Sequence, residues 1–214
     1  MSAQSGVRTL VLVGGGGHAA VVADAARTSG WTVLGYMDDS EAGEAMARIA
    51  GMKRLGAVAE LERVLSEHAG ASAHAAVGDN DVRRKFAERA GAKIAEPIVH
   101  PAAVVSDSAS LSRGSFVGAT AVVQARAVIG RGVIINTGAI IEHDCRIGDW
   151  SHIAPSAVLT GGVVVGAGAM VGTGARVIPQ KSIGERAIVG AGACVIDDVP
   201  SHATVVGVPA RIVV

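Results

Sequence analysis

Aromatic side chains are almost missing from this 214-residue chain: two tryptophans, one tyrosine and two phenylalanines, 2% of the sequence. A core filled with rings is excluded, so the interior is built from Val, Ile, Leu and Ala and is narrow and repetitive. No sign of charge is in excess, because 19 Lys and Arg face 19 Asp and Glu. That removes the basic field needed to hold nucleic acid or an anionic membrane surface. The only cysteines, Cys145 and Cys194, form neither a disulfide framework nor a paired metal spacing. They read as reduced thiols of a cytoplasmic protein. No apolar run reaches the roughly 18 residues of a membrane-spanning helix. The start, "MSAQSGVRTL", lacks the basic beginning and long apolar centre of a signal peptide. What abounds is glycine, 29 residues, in a chain that is 50% hydrophobic with a mean hydropathy of +0.43. The length suits one large domain or two small ones, and the hydropathy points to buried strands and buried subunit faces.

The second half carries a repeat of six. Stepping by six from Val99 meets Val105, Leu111, Val117, Val123, Ile129, Ile135, Ile141, Ile147, Ile153, Leu159, Val165, Val171, Val177, Ile183, Val189 and Val195, seventeen aliphatic positions in all. Four residues after most of them stands a small residue or valine, such as Ala121, Val133, Cys145 or Ala169. The residue directly after the aliphatic is glycine seven times, for example Gly118, Gly130 and Gly148. An α-helix, at 3.6 residues per turn, cannot keep such a period on one face. A coil of three short strands can, with one hexad per side and 18 residues per triangular turn. The aliphatic points inward, the small residue fills the corner, and glycine is expected to supply the unusual backbone angles of the turn. Seventeen hexads make nearly six turns, stacked about 4.8 Å apart.

The first half reads as an α/β unit. Residues 9–13 form a strand, residues 14–17 a glycine turn and residues 18–28 a helix. "WTVLGYMDD" is a second strand ending at Asp38 and Asp39, residues 59–68 are a helix, "AHAAVGDN" is a third strand and residues 81–90 a third helix. This is a βαβαβ, Rossmann-like unit with a parallel sheet. The expected division is residues 1–96 for this unit and 97–214 for the coil. The turn Gly14-Gly15-Gly16-Gly17-His18-Ala19, with Asp38 about twenty residues on, fits a loose dinucleotide pattern. An NAD enzyme also needs a second mononucleotide half and a catalytic domain, and the coil leaves room for neither. The physical content remains: bare N–H groups at a helix start attract an anion, and the carboxyl edge of such a sheet is the usual ligand crevice. Its expected substrate-binding residues are Gly15, Gly16, Gly17, His18, Asp38, Asp39, Gly78 and Asn80.

"IIEHDCRIGDWSHIAP", residues 140–155, keeps the six-residue ruler and places polar groups on its free positions. His143 falls near a corner and faces outward, flanked by Glu142 and Asp144. His152 and Asn136 fall nearby on the ruler, as outward decoration at one level of the coil. Gly161 lies 18 residues after His143, one coil further along the same corner. Thr173 and Ala191 are one coil apart on a different corner, so a long ligand touching both corners is most easily shared by two subunits.

The repeat resembles the hexapeptide acyltransferases. The signatures "GGGGHAAVVAD", "MDD", "NTGAIIEHDCRIGDWSHIAP" and "VVGVPARIV" together resemble the nucleotide-sugar N-acetyltransferases of the bacillosamine and perosamine type, with their sialic-acid O-acetyltransferase relatives. The resemblance implies a left-handed parallel β-helix, where general crossover rules would favour the right hand. It also implies a homotrimer with acetyl-CoA bound between neighbours. The reaction implied is acetyl transfer to the 4-amino group of a nucleotide-linked 4-amino-4,6-dideoxysugar, for cell-surface polysaccharide biosynthesis. O-acetylation of sialic acid or a related sugar is the alternative. An imidazole suits removal of the amine proton; the resemblance makes His143 the general base, with Asp144 the better candidate to tune it and Glu142 the second. Gly161 is expected to offer its N–H to the thioester. His152, Thr173 and Ala191 are assigned to acetyl-CoA, and Asn136 to the substrate. A zinc hydratase on the same coil needs histidines five apart; His143 and His152 are nine apart, so no metal is expected. The intact polar set also argues against a non-catalytic assembly subunit.

Overall fold

A computed structural model describes residues 8–40 and 51–213. Most of the stretch read for a leader, and the outer ends of the two expected domains, lie outside the described residues. Among those described, no helix is long and apolar enough to cross a membrane.

The first unit runs β1 (Arg8–Val13), α1 (Gly17–Thr28), β2 (Trp31–Met37), β3 (Arg54–Gly56), a 3-10 turn at Val58–Glu60, α2 (Leu61–Glu67), β4 (Ala71–Ala75) and α3 (Asn80–Ala90). The strands form one parallel sheet in the order β3-β2-β1-β4. The last four residues of β1 are an apolar run because helices cover both faces there, and Leu10, Val11, Leu12 and Val13 are all buried. The short edge strand β3 escapes the sequence pattern, since three residues show no period. It seats closely because Gly35 of β2 has no side chain; a Cβ there would lie 2.3 Å from the Lys53 carbonyl oxygen. The third strand was expected over residues 73–80 but ends at Ala75. Asp79 instead caps α3, its side chain accepting from the Val82 N–H at 2.9 Å, so residues 76–79 form a loop. β1 sits between β2 and β4, and the loops after β1 and β4 therefore part at their carboxyl ends. This is the switch-point crevice of an open parallel sheet.

The second unit is a left-handed parallel β-helix. Seventeen two-residue strands run from Ile98–Val99 to Cys194–Val195, and each ends on one aliphatic of the ruler. They stack into three parallel faces. The first face has strands beginning at Ile98, Phe116, Ile134, His152, Met170 and Ile188; the second begins at Val104, Val122, Ile140, Val158, Arg176 and Cys194; the third begins at Ser110, Val128, Arg146, Val164 and Ser182. From Val117 to Val195 every ruler aliphatic is 3% exposed or less. Val99, Val105 and Leu111 are only partly buried, because they line the open first coil.

The glycines of the ruler have a different reason from the one expected. The left-handed backbone falls three residues after each aliphatic, at every sixth residue from Gly114 to Gly192 without a break, and seven of these fourteen positions hold non-glycine residues, Asp144 and Trp150 among them. Glycine directly after the aliphatic serves close stacking instead. A Cβ at Gly148 would lie 2.6 Å from the Ala167 nitrogen of the next coil, and one at Gly166 2.5 Å from that of Glu185. The corner after the third face has Gly130, Gly148, Gly166 and Gly184 there, whereas the corner after the second face has Gln124, Glu142, Thr160 and Ile178. The latter corner is thus the one with room for long side chains.

The α/β unit lies on the first face and the adjoining third corner. Phe116, Ile134 and His152 point outward from the coil yet are buried beneath it, and Phe116 and Ile134 share a core with Leu10, Leu12 and Ala19. Further along the same row Met170 and Ile188 emerge from this cover. Arg83 of α3 fastens the two units. It is 1% exposed and donates to the carbonyls of Gly132 (2.8 Å), Trp150 (2.8 Å) and Ser151 (3.2 Å) on the coil, and to those of Val77 and Gly78 on its own side.

Candidate active site

His143 occupies the first turn position of the second corner, between the second and third faces. Asp144 follows in the left-handed conformation, φ 62, which aspartate tolerates better than most residues. That turn swings the two side chains outward together, and His143 Nδ1 meets Asp144 Oδ2 at 2.8 Å. Arg126, one coil earlier at the same corner, donates Nε to Asp144 Oδ1 (2.7 Å) and Nη2 to Oδ2 (2.8 Å). The guanidinium first, and the imidazole after it, hold the Asp144 carboxyl well below the usual carboxylate range. Glu142 reaches only the His143 backbone N–H, at 3.4 Å. Gly161 lies under the imidazole: a Cβ there would stand 2.7 Å from both Cε1 and Nε2 of His143. The next residue, Gly162, donates its N–H to the His143 carbonyl at 2.9 Å. With Pro179 and Gln180 these residues line an open groove of about 270 Å³.

His152 and Asn136 are not part of this group. His152 sits on the first face, and Asn136 at the first corner; Asn136 Nδ2 and His152 Nε2 are 3.1 Å apart. The second corner lies opposite the first face of the prism, so the expected outward decoration at one level of the coil is divided between two sides, and His152 in it is covered rather than open. The ruler marks a position as inward or outward but is silent on what covers it. His152 is 9% exposed, and burial, then the charge of Arg83, pushes its pKa down to about 4 against an opposing hydrogen bond to the Gly78 backbone. Thr173 and Ala191 stand at the first corner one coil apart, away from His143 and Gly161.

The crevice of the α/β unit is a second polar centre. Helix α1 begins after Gly16 with no side-chain cap, leaving its first N–H groups without a side-chain acceptor. Open space surrounds Gly16 and Gly17, and Gly15 donates its N–H to Asp38 Oδ2 at 2.5 Å. Asp38 Oδ1 accepts from the Ser40 N–H and Oγ at 2.8 and 2.6 Å. Burial raises the Asp38 pKa, but the hydrogen bonds from Ser40 and Gly15 outweigh it, so the group lies below its ordinary value. Asp39 accepts from the Val58 N–H at 2.8 Å. Asn80 turns to the coil, its Nδ2 donating to the Gly168 and Ala169 carbonyls at 2.9 and 3.3 Å and its Oδ1 accepting from Arg83. Gly78 gives its carbonyl to the same arginine at 3.0 Å.

His18 borders the crevice. As a residue it is part-exposed, yet its Nε2 is shut off from solvent and has no partner, and its ring stands edge-on to Phe116 at 5.4 Å. Burial, then the neighbouring His74, His152 and Arg83, pushes its pKa down to about 3. His74, on β4, is 1% exposed with neither ring nitrogen partnered, and burial brings it to about 3 as well. Sequence reasoning passed over Arg83, His74 and Arg126. Arg126 was within reach, since it precedes Asp144 by one coil of 18 residues; Arg83 lies in a run of charged helix residues with nothing to mark it. Among the described residues, no group of three His, Cys, Asp or Glu side chains is placed to hold a metal ion.

Residues 9–90 match the PglD N-terminal domain, and residues 126–161 match the bacterial transferase hexapeptide, six repeats. The histidine-to-asparagine variant of perosamine N-acetyltransferase from Caulobacter crescentus, solved with CoA and GDP-perosamine, is 38% identical over all of both chains with a TM-score of 0.89. The acetyltransferase domain of PglB from Neisseria gonorrhoeae, solved with acetyl coenzyme A, is 36% identical over 97% of this chain and all of that one, with a TM-score of 0.90. WeeI from Acinetobacter baumannii is 26% identical over 97% of this chain and all of its own, with a TM-score of 0.83. Among curated proteins, a serine acetyltransferase from Bacillus pumilus is 49% identical over 39 residues, and the chain spans only 18% of its length. With likeness running through both the crevice-bearing α/β unit and the coil that holds the His143–Asp144 pair, the chain belongs to the hexapeptide-repeat nucleotide-sugar N-acetyltransferase family.

Proposed function

We propose that the protein transfers the acetyl group of acetyl-CoA to the 4-amino group of a nucleotide-linked 4-amino-4,6-dideoxysugar, with His143 as general base. The observation that carries this reading is the His143–Asp144 pair at 2.8 Å over Gly161. Asp144 accepts from Nδ1–H, which leaves the Nε2 lone pair facing the groove. The amine attacks the thioester carbonyl carbon and gives its proton to Nε2. The Gly161 N–H steadies the oxyanion. Collapse of the tetrahedral intermediate breaks the C–S bond, and the proton passes to the thiolate as CoA leaves.

In this reading the α/β unit, residues 1–96, holds the nucleotide sugar. The uncapped start of α1 at Gly15, Gly16 and Gly17 faces the diphosphate, and His18, Asp38 and Asp39 line the rest of the crevice. The Asn80 side chain is committed to the coil, so Asn80 and Gly78 shape this pocket through their backbone. Asn136 stands at the first corner with Thr173 and Ala191, which form a column for the acetyl-CoA chain, and His152, bonded to both Asn136 and the Gly78 backbone, joins that corner to the crevice. The coil, residues 97–214, presents His143 on its far side from the crevice. One substrate therefore reaches a crevice and a base only if they come from different copies, which favours a homotrimer with sites between neighbours. The thiols of Cys145 and Cys194 suit the reducing cytoplasm, and the product serves cell-surface polysaccharide synthesis.

The test is thiol release from acetyl-CoA with UDP-, GDP- and dTDP-linked 4-amino-4,6-dideoxysugars, sialic acid as control, and His143→Ala in parallel. Rapid release with one nucleotide sugar, reduced by about a hundredfold or more in the variant, is the expected result. Release with sialic acid alone moves the reaction to O-acetylation, and an unaltered rate in His143→Ala removes the mechanism. Sedimentation of both proteins reads the trimer.

A further inference from the structure

We infer that Arg126 is a positioning residue for the acetyl transfer, acting on His143 through Asp144; the inference rests on the reading of His143 as the base. Arg126 and Asp144 are 18 residues apart, at the same corner of successive coils, both in the left-handed conformation at φ 61 and 62. This places the two side chains side by side on the outside of the coil. Arg126 binds both carboxylate oxygens, at 2.7 and 2.8 Å, and the oxygen that takes Nη2 is the same Oδ2 that meets His143 Nδ1 at 2.8 Å.

The shared oxygen has two consequences. The planar guanidinium fixes the plane of the carboxylate. Without it, Asp144 is an exposed side chain at a corner, 45% accessible, still beside the ring but free to twist out of its plane. With it, Oδ2 stays aimed at Nδ1, the Nδ1–H tautomer is kept and Nε2 stays free to take a proton. The second consequence is electrostatic. A lone carboxylate beside an imidazole favours the imidazolium, the form unable to act as base. Beside Arg126 the carboxylate belongs to a neutral pair and favours it less. Arginine thus retains the orienting hydrogen bond of the carboxylate while weakening its pull on the proton. A purely structural ion pair between coils would do neither, and exposed pairs contribute little to folding.

The experiment measures kcat/KM against pH for wild type, Arg126→Gln, Arg126→Lys, Asp144→Asn and the Arg126→Gln/Asp144→Asn double variant, with unfolding temperatures as a check on folding. For Arg126→Gln, the acid limb of the profile is expected to move up by about one pH unit, with about a tenfold loss below that limb. Arg126→Lys should restore the position of the limb but only part of kcat, since an ammonium cannot pair with both oxygens. In the Asp144→Asn background, Arg126→Gln should add less than about a twofold change, the mark of two residues acting as one unit. Multiplicative losses with an unmoved limb would reduce Arg126 to a structural contact and overturn the inference. Full activity in His143→Ala would overturn it by removing the base itself. An inactive His143→Ala together with multiplicative losses would sink the Arg126 role alone.

Discussion

Gly161→Ala should disable the enzyme by a single methyl group while leaving it folded. The new Cβ would stand 2.7 Å from Cε1 and Nε2 of His143 and 3.3 Å from Nδ1. Carbon atoms rest at about 3.5–4.0 Å, so the imidazole must withdraw by about 1 Å. Its Nδ1 is held at 2.8 Å by Asp144 and its backbone carbonyl by Gly162, so the ring cannot withdraw without losing its aim. Misplacement on this scale costs about a hundredfold in rate, equivalent to about 2.7 kcal/mol on the barrier. The backbone of Gly161 lies outside the left-handed region, so alanine adds no backbone strain there and the N–H proposed for the thioester oxygen is kept. The loss would therefore measure the position of the ring alone. Gly162→Ala is the complementary control. It is held at φ +73 with only Gln180 near its Cβ, so it should cost about 1–2 kcal/mol of stability through backbone strain and spare kcat. Steady-state thiol release gives kcat and KM, and calorimetry gives CoA affinity. A Gly161→Ala enzyme within twofold of wild type would refute the placement of His143 at the reacting centre.

Two further results are expected. Arg83→Met leaves the carbonyls of Val77, Gly78, Gly132, Trp150 and Ser151 without their donor and should destabilise the chain by about 3–5 kcal/mol in urea unfolding; a loss below about 1 kcal/mol would mean that the two units are held by apolar contact alone. The protein should also be acid-labile: His18 and His74 are brought down to about 3 when folded, while an unfolded chain protonates them near 6.5. The unfolded state then takes up protons first, so stability is whole above about pH 7 and is lost from about 6.5 towards 3, at about 1.4 kcal/mol per pH unit for each histidine. His74→Leu should flatten that slope, and an unchanged slope between pH 6 and 4 would show that His74 is already protonated in the folded protein.

The coil was legible because its signal is redundant. Seventeen aliphatics in strict step become the second residue of seventeen strands, and any slip would turn a core residue outward. The α/β unit was legible in kind but less so in its limits. β3 has too few residues for a period, and the end of the third strand depended on the Asp79 cap rather than on hydropathy. The 18-residue spacing likewise placed Gly161 against His143 and would have placed Arg126 against Asp144.

Burial by the other unit was beyond the sequence. Phe116, Ile134, His152, Met170 and Ile188 occupy equivalent outward positions on the same face, yet the first three are covered and the last two are open. His143 and His152 look like one cluster in the sequence, and the triangular cross-section sends them to opposite sides. Reading along the chain fixes a residue's direction relative to its own strand, because that depends on local backbone period. Which surfaces meet depends on how α3 and the crevice loops seat against the coil, through Arg83 and Asn80 bonds to residues 49 to 89 positions away. The coil, its inward column and the corner carrying His143 follow from the six-residue period alone; which histidines are sealed and neutral and which one faces a groove follows from packing between the two units, because burial is set by contacts remote in the chain.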